Sequence, residues 1–163
     1  MARMLTYVGA ALVATGLSIA AAAGEKLNVF GTEMVVKTDG SKTGGAMTVV
    51  ETTVPPGSGP PRHVHSREDE MFYIISGRFK LLHGSHELEV GPGEVIYLPR
   101  NETHTYRNIG SEPGKVLVTI TPAGFEGFFR EVSERKLMPP KDMQDITAVA
   151  DKYGLKFTGP PLQ

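Results

Sequence analysis

The stretch RHVHSREDEMFYIIS, residues 62–76, joins a cluster of ionisable side chains directly to an apolar run. Its first nine residues hold two histidines, two arginines and three acids, and the run MFYII that follows has the composition of a buried β-strand. Ionisable side chains are rarely buried unless they are paired. Their position against a buried strand therefore predicts that some of them bind a metal ion.

The two histidines of this stretch are placed to act together. Side chains alternate between the two faces of a strand, so His63 and His65 point the same way, about 7 Å apart at a rise of ~3.4 Å per residue. Glu70 has the wrong parity to join them in a straight strand. A bulge or loop at Ser66–Asp69 would turn it inward, as bulges do beside active sites.

A fourth candidate ligand, His104, comes 34 residues after Glu70, at the start of the strand that follows Pro99. An antiparallel neighbour could bring it opposite His65. Three imidazoles and one carboxylate suit one divalent transition ion, and the donor types do not distinguish iron, manganese, nickel, zinc and copper.

The rest of the chain predicts an all-β protein. Seven or so short strands follow one another at the spacing that is typical of a sandwich or barrel. Before them, residues 25–40 are expected to be an irregular approach with a short strand at Met34–Val36. The predicted strands are Ala46–Val54, Met71–Ser76, Arg78–Leu82, Glu87–Val90, Val95–Leu98, His104–Asn108 and Val116–Thr121.

The tail changes from strand to helix periodicity. Phe125, Phe128, Phe129 and Val132 stand at the spacing of one helix face, and Asp142–Tyr153 carries a second apolar stripe. These stripes are expected to cover part of the sheet, with a cofactor or partner groove as the alternative. We therefore predict a barrel core over about residues 44–122 and a helical tail over residues 123–163.

Composition sets outer limits on function and location. A chain of 163 residues with a formal net charge of −1 is long enough for one domain and gives no basic surface for nucleic acid. Residues 1–23 combine a positive start, an apolar middle and small residues before Gly24, which is typical of a signal peptide. We therefore expect a secreted or periplasmic domain over residues 24–163, without a stable membrane span; a cytoplasmic location is the alternative.

Two spacing patterns resemble the two conserved motifs of the cupin family. The first runs from Gly57 to Gly77: glycine, five residues, His-Val-His, four residues, glutamate, six residues, glycine. The second runs from Gly93 to Asn108: glycine, five residues, proline, four residues, histidine, three residues, asparagine. The family often has glycine where this chain has Asn101. Asparagine tolerates a positive φ better than most residues, so the turn should be retained.

The resemblance implies a small antiparallel β-barrel of the double-stranded β-helix or jelly-roll type, often a homodimer. It also implies a metal held by the residues that match the family's ligands: His63, His65, Glu70 and His104. The chain is similar to single-domain, quercetin dioxygenase-like cupins, which implies a metal-dependent oxygenase acting on a small oxygenated organic substrate. Because cupins vary in function, a metal-dependent lyase or isomerase, a non-catalytic ligand-binding module and a structural zinc site stay open.

Two residues are candidates for catalysis beyond holding the metal. Glu70 could act as a base if it loosens from the ion. Tyr106 shares the face of His104 and could donate a hydrogen bond to a bound substrate, or it could bond elsewhere in the barrel.

Other polar residues have plainer interpretations. Glu68 and Asp69 could be ligands instead of Glu70, but they are expected to be solvated or to pair with Arg62 and Arg67. The histidines at a predicted hairpin tip, His83 and His86, should be exposed. The cavity should be lined by Phe72, Ile74, Tyr97, Tyr106 and parts of residues 47–53.

Overall fold

A computed structural model describes residues 23–163, so the predicted signal peptide, apart from its last residue, lies outside the described range. Those residues form two antiparallel sheets, with helices beside them. No helix in the described range is long and apolar enough to cross a membrane.

The first sheet has six strands in the order β1-β2-β3-β10-β5-β8, and the second has five in the order β11-β4-β9-β6-β7. Three helices, α1 (Gly40–Thr43), α2 (Glu126–Glu134) and α3 (Met143–Lys152), complete the part of the fold that residues 23–163 form. The strands are β1 (Glu25–Val29), β2 (Thr32–Thr38), β3 (Thr48–Val54), β4 (Arg62–His65), β5 (Asp69–Ser76), β6 (Phe79–His83), β7 (His86–Val90), β8 (Val95–Leu98), β9 (His104–Asn108), β10 (Gly114–Thr121) and β11 (Leu155–Gly159).

Alternation along the strands places the core between the two sheets. In β5, Glu70, Phe72 and Ile74 are buried, whereas the side chains between them face outward. The residues of β3 alternate in the same way, with Val50 and Thr52 inward. Burial on one face of each strand is the pattern of two antiparallel sheets packed face to face. The predicted jelly-roll type of fold is thereby confirmed.

The N-terminal approach is more regular than the sequence suggests. Residues 25–38 form a β-hairpin, in which β1 pairs with β2, and β2 extends the first sheet beyond β3. The expectation of an irregular approach was wrong because only the centre of β2, at Met34–Val36, has an apolar run. Pairing with β3 supplies the rest of the strand, and such tertiary context commonly overrides local propensity.

The tail contains the two predicted helices, as α2 and α3, and then a strand that the sequence did not indicate. In β11, Leu155 lies opposite His65 and Phe157 lies opposite His63. The prediction of a helical tail to residue 163 was therefore wrong at its end, because the chain returns to the second sheet. This return places the tail beside the strand that carries the two histidines.

Turn geometry agrees with the motif spacings at the position where this chain departs from the cupin pattern. Asn101 has a φ of 67°, in the left-handed region that glycine normally occupies. Its backbone N–H donates to the carbonyl of His65 at 2.7 Å. The expected turn is therefore retained, and it ties the segment before His104 to the histidine strand.

Candidate metal centre

Four buried side chains converge between the sheets: His63, His65, Glu70 and His104, which we call the His/Glu cluster. One ligand atom from each lies within 4.8 Å of the others. The ring centroids of His63 and His104 are 4.5 Å apart. His104 lies opposite His63 in the sheet, not opposite His65 as expected. The four candidate ligands nevertheless share one point in space.

Glu70 reaches this point from the opposite sheet. The histidine strand β4 ends at His65, and β5 begins at Asp69 in the first sheet. The chain thus crosses between sheets over residues 66–68, which removes the strand-parity problem and turns Glu70 inward, as predicted. The three imidazoles belong to one sheet and the carboxylate to the other.

Hydrogen bonds orient two of the imidazoles. His63 donates from Nδ1 to the carbonyl of Pro61 at 2.7 Å, and His104 donates from Nδ1 to the carbonyl of Glu102 at 3.1 Å. Protons held at Nδ1 leave Nε2 with a lone pair when the ring is neutral. Histidines that bind metal ions are commonly fixed in this way.

The third imidazole is held by a residue whose role the sequence did not reveal. Glu68 is 5% exposed, and its Oε2 lies 3.5 Å from Nδ1 of His65. Within the described residues, neither atom has another hydrogen-bond partner. The expectation that Glu68 is solvated or paired with arginine was wrong, because the crossing between sheets carries it inside.

Asp69 differs from Glu68 in its surroundings. It binds the Arg100 guanidinium at 2.8 Å, rather than Arg62 or Arg67. The hydrogen bonds from Arg100 hold the pKa of the Asp69 carboxyl below its usual range. This pair lies at the partly exposed margin of the site, where it fixes the start of β5.

The separations between donor atoms fit a single transition ion. His104 Nε2 lies 3.0 Å from Glu70 Oε2, and His65 Nε2 lies 3.6 Å from Glu70 Oε1. Donors that bind an ion at about 2.1 Å each are about 3.0 Å apart at a right angle and about 3.4 Å apart at a tetrahedral angle. A cation would also compensate the facing lone pairs of His104 and Glu70. The residues present therefore suit a divalent metal with nitrogen and oxygen ligands.

Burial and mutual charge set the protonation of the cluster. Burial lowers the pKa of His63 to about 3, so this ring is neutral at ordinary pH. Burial alone would raise the pKa of Glu70, but the neighbouring imidazoles outweigh it and lower the pKa to about 2. For His65, the charges of Glu70 and Glu68 outweigh burial and raise the pKa. A neutral imidazole and an ionised carboxylate are the forms that bind metal.

The cluster opens into a cavity of about 670 Å³. Its wall includes Phe125, Phe128 and Phe129 at the start of α2, and the Phe125 ring centroid lies 4.3 Å from that of His65. Leu155 and Phe157 of β11 contribute further apolar surface. The aromatic stripe of the tail thus covers the sheet and also forms a wall of the site, which its helical spacing alone did not show.

The predicted lining is only partly observed. Phe72 and Tyr106 line the cavity, as do Val50 and Thr52 of β3. Tyr97 does not belong there: it is 58% exposed on the outer face of β8. The error arose because the sequence alone did not show which face of β8 packs inward.

The two hairpin-tip histidines also differ from each other. His86 is exposed, as expected. His83 is only partly exposed, and its Nε2 lies 2.7 Å from a carboxylate oxygen of Glu102. Since the Glu102 carbonyl accepts the bond from His104, this contact fixes the segment that orients a candidate ligand. Neither hairpin histidine is part of the cluster.

Comparison with known proteins agrees with this geometry. The family model described as "Cupin domain" matches residues 50–120, which contain the whole His/Glu cluster. Residues 50–120 of this chain are therefore similar to a cupin domain. Quercetin 2,3-dioxygenase of Bacillus subtilis is 30% identical over 92 residues, which are 56% of this chain and 27% of that protein. The chain spans less than two thirds of the length of each curated relative that it matches here.

Solved structures of similar fold agree with the architecture described above. KdgF from Halomonas has a TM-score of 0.57 at 16% identity, covering 63% of this chain and 89% of that one. The nucleoside dehydratase Pac13 of Streptomyces has a TM-score of 0.56 at 18% identity. The match covers 86% of this chain and 88% of that one. At these identities the likeness concerns the fold and not the reaction.

Proposed function

We propose that this protein is a metal-dependent oxygenase that acts on a small oxygenated organic molecule. The observation that carries the proposal is the placement of three imidazoles and one carboxylate at the edge of a largely apolar cavity. Such a cavity can hold an organic molecule against a metal centre while it excludes bulk water. The similarity to a quercetin dioxygenase supports an oxygenase over other reactions.

Each residue of the His/Glu cluster has a distinct part in this proposal. His63, His65 and His104 would hold a divalent ion through Nε2, and Glu70 would neutralise part of its charge. When bound, the ion supplies Lewis acidity and open positions for substrate and oxygen chemistry. The phenylalanines of α2 shield the centre on one side, because Phe125 packs directly against His65.

Proton handling is assigned to Glu70 and Tyr106. A Glu70 oxygen that loosens from the ion would accept the proton that a substrate hydroxyl loses on binding. Tyr106 is buried on the same wall, and burial together with the Glu70 charge raises its pKa. Its hydroxyl therefore stays protonated and is able to donate a hydrogen bond to a bound oxygen.

The direct test is elemental analysis of protein purified from its own host, followed by oxygen-uptake assays on polyphenols and diketones. We expect about one iron, copper, manganese or nickel per chain, and oxygen uptake with at least one compound. The proposal would be overturned by stoichiometric zinc without uptake, which indicates a structural site. Ligand binding without turnover would instead indicate a binding module, and turnover without oxygen a lyase or isomerase.

Matched histidine variants distinguish the loss of a metal ligand from the general effect of replacing a histidine. His104→Asn removes a candidate ligand, whereas His86→Asn changes an exposed histidine outside the cluster. We expect the first to lose the metal and all turnover and the second to keep both. Glu70→Gln should lose turnover even in protein that is reloaded with metal. Full turnover in that variant would contradict the role of Glu70 as a base.

A further inference from the structure

Among the described residues, the barrel interior holds a buried threonine hydroxyl that is not fully paired. Three threonines of residues 23–163 are fully buried: Thr48, Thr52 and Thr105. Thr48 donates to a carboxylate oxygen of Glu126 at 2.6 Å, and Thr105 donates to the carbonyl of Pro60 at 2.7 Å. Within the described residues, Thr52 Oγ1 has no hydrogen-bond partner of good geometry. Buried polar groups without a partner are uncommon, and each one calls for a physical reason.

Thr52 is also placed where a ligand would pass. It lies on the inward face of β3 and lines the same cavity as the His/Glu cluster. The polar side chain that faces it is Tyr106, across the barrel on β9. The two hydroxyls together can donate two hydrogen bonds and accept several, so their mutual contact leaves capacity for a further polar atom.

The surface between this pair and the cluster is apolar. The Phe72 ring lies 5.4 Å from the Tyr106 ring and 6.3 Å from the His104 ring, centroid to centroid. A molecule that reached from the cluster to the Thr52 hydroxyl would therefore pass along Phe72. Its middle section must be apolar, and a flat one would pack best against that ring.

We propose that Thr52 and Tyr106 form a second polar contact point of the cavity, which takes a neutral carbonyl or hydroxyl oxygen of the ligand. The ligand would bind the metal centre through one oxygen, lie along Phe72 with an apolar section and reach the hydroxyl pair with another oxygen. This inference rests on the proposed function only in requiring that a ligand oxygen binds at the metal centre. The second oxygen is neutral because both hydroxyls are uncharged and enclosed, so an ion there would lack a partner.

Catechols are suitable probes because their paired oxygens chelate transition ions. The protein is loaded with Ni(II) and kept under nitrogen, so that binding is measured apart from oxygen chemistry. Catechols with a short or a longer methyl-ketone side chain are each compared by calorimetry with the alkyl catechol of equal length. We expect at least one ketone to bind about tenfold more tightly than its alkyl partner, the value of one well-made hydrogen bond.

Three variants assign that preference. Thr52→Val keeps the shape of the side chain and removes the hydroxyl, and Tyr106→Phe removes the second one. Both should abolish the tenfold preference, and Thr52→Val should leave the binding of the alkyl catechols unaffected. Thr53→Val, on the outward-facing neighbour in β3, should keep it. A ketone preference that survives in Thr52→Val, or the absence of any preference in the wild type, overturns the inference.

A readout without any ligand tests the alternative that the two hydroxyls serve only to bind each other. In that case Thr52→Val would lower the unfolding temperature of the metal-loaded protein. We expect the temperature to stay the same or rise, because a buried hydroxyl without a well-formed hydrogen bond carries a desolvation cost that a methyl group removes. A clear drop, together with unchanged binding, would contradict the proposal.

These outcomes remain distinct from a failure of the proposed function. A ketone preference without oxygen uptake on any substrate would overturn the oxygenase and leave the contact point in place. Oxygen uptake by a protein that binds ketone and alkyl catechols equally would do the reverse. If the metal-loaded protein binds neither catechol, the ligand class proposed here is wrong.

Discussion

Glu68 shows at the scale of one residue how a site acquires support that its ligands alone do not supply. Its carboxylate is buried against Nδ1 of His65, and it occupies the position that backbone carbonyls occupy behind His63 and His104. An anion behind an imidazole fixes its tautomer and strengthens the opposite nitrogen as a donor. Glu68 is therefore a positioning residue for the metal centre.

Replacing this carboxylate should weaken metal binding without removing a ligand. We expect Glu68→Gln to lower the affinity for Ni(II) or Mn(II) by about 10- to 100-fold, the range found for residues behind metal-binding histidines. Isothermal calorimetry on the metal-free protein measures this directly. Glu112→Gln, on an exposed loop, should bind as the wild type does. Equal affinity in both variants would show that Glu68 does not orient His65.

The depressed pKa of His63 predicts how the metal-free protein responds to acid. Its folded pKa of about 3 lies below the ordinary value of 6.5, so below pH 6.5 the unfolded chain binds a proton that the folded chain refuses. The contribution of His63 to stability must then fall as the pH falls from 6.5 towards 3. Between pH 6.5 and 4, this one group should cost about 3 kcal/mol.

Urea unfolding of metal-free protein at several pH values measures this slope. His63→Gln removes the titrating group, so its stability should decrease less over the same range than that of the wild type. His86→Gln, which changes an exposed ring, should follow the wild type. Parallel curves for the wild type and His63→Gln would show that the burial of His63 does not govern its protonation.

Of all features of the site, the four candidate metal ligands were the ones that the sequence predicted best. The ligand types and their spacing lie in two short segments, and strand parity already groups His63 with His65. Glu68 was missed because burial depends on where the chain crosses between the sheets. Thr52 was predicted only as part of a lining segment, since a missing hydrogen-bond partner is visible only once all neighbours are placed.

At the scale of elements, the docking of α2 depends on one buried carboxylate. Glu126, at the start of the helix, accepts hydrogen bonds from the Thr48 hydroxyl and from the backbone N–H groups of Gly40 and Gly124. These bonds connect the helix to β3 and to α1. They also fix the position of Phe125, the residue before it, over His65.

Removal of this carboxylate should loosen the aromatic wall. We expect Glu126→Ala to lower the free energy of unfolding by about 2–3 kcal/mol, because three donors to a charged acceptor lose their partner. Glu134→Ala, at the exposed end of the same helix, controls for helix propensity. Denaturant titration compares the two. Equal stability in both variants would mean that Glu126 does not anchor α2.

Helices and strands with a clear hydrophobic periodicity in the sequence were predicted. Strands that form because they pair with a neighbouring strand were not. The stripe of phenylalanines indicated α2, and alternation indicated the central strands. Strand β11 has only five residues, and it forms by pairing with β4. Hydrophobic pattern alone does not indicate such a strand.

At the scale of the whole molecule, the outer face of the first sheet carries an apolar patch. It consists of the outward side chains of β5 and of β8, the last strand of that sheet: Met71, Tyr73, Ile75, Val95 and Tyr97. Each is at least 40% exposed. A contiguous patch beside an open sheet edge is typical of a protein interface. We propose that a second copy of this chain covers it, since a patch on an edge strand can meet itself about a two-fold axis.

This assembly is tested by analytical ultracentrifugation at micromolar concentration. The wild type should sediment as a dimer. Val95→Glu, which places a charge in the patch, should sediment as a monomer that keeps its metal. A variant with the charge elsewhere on the surface, Ser111→Glu, should remain dimeric. A monomeric wild type would contradict the proposed interface.

The predicted signal peptide, of which the structure describes only residue 23, bears on where the protein is located. We propose that residues 1–23 are removed on export and that the mature protein is secreted or periplasmic. Fractionation of the native host with N-terminal sequencing tests this, and the expected first residue lies close to Gly24. An intact N-terminus in the cytoplasm would contradict it.

The division of the His/Glu cluster between two sheets has a mechanical consequence. An ion bound there would act as a cross-link between the two halves of the barrel, with three attachments on one side and a single attachment on the other. If the sheets slid slightly against each other, the distance between the ion and Glu70, the lone attachment, would change first. Distant mutations can alter how the sheets lie against each other. Such mutations would shift the Glu70 carboxylate relative to the ion and so change the reactivity of the ion, while the three imidazoles keep their arrangement.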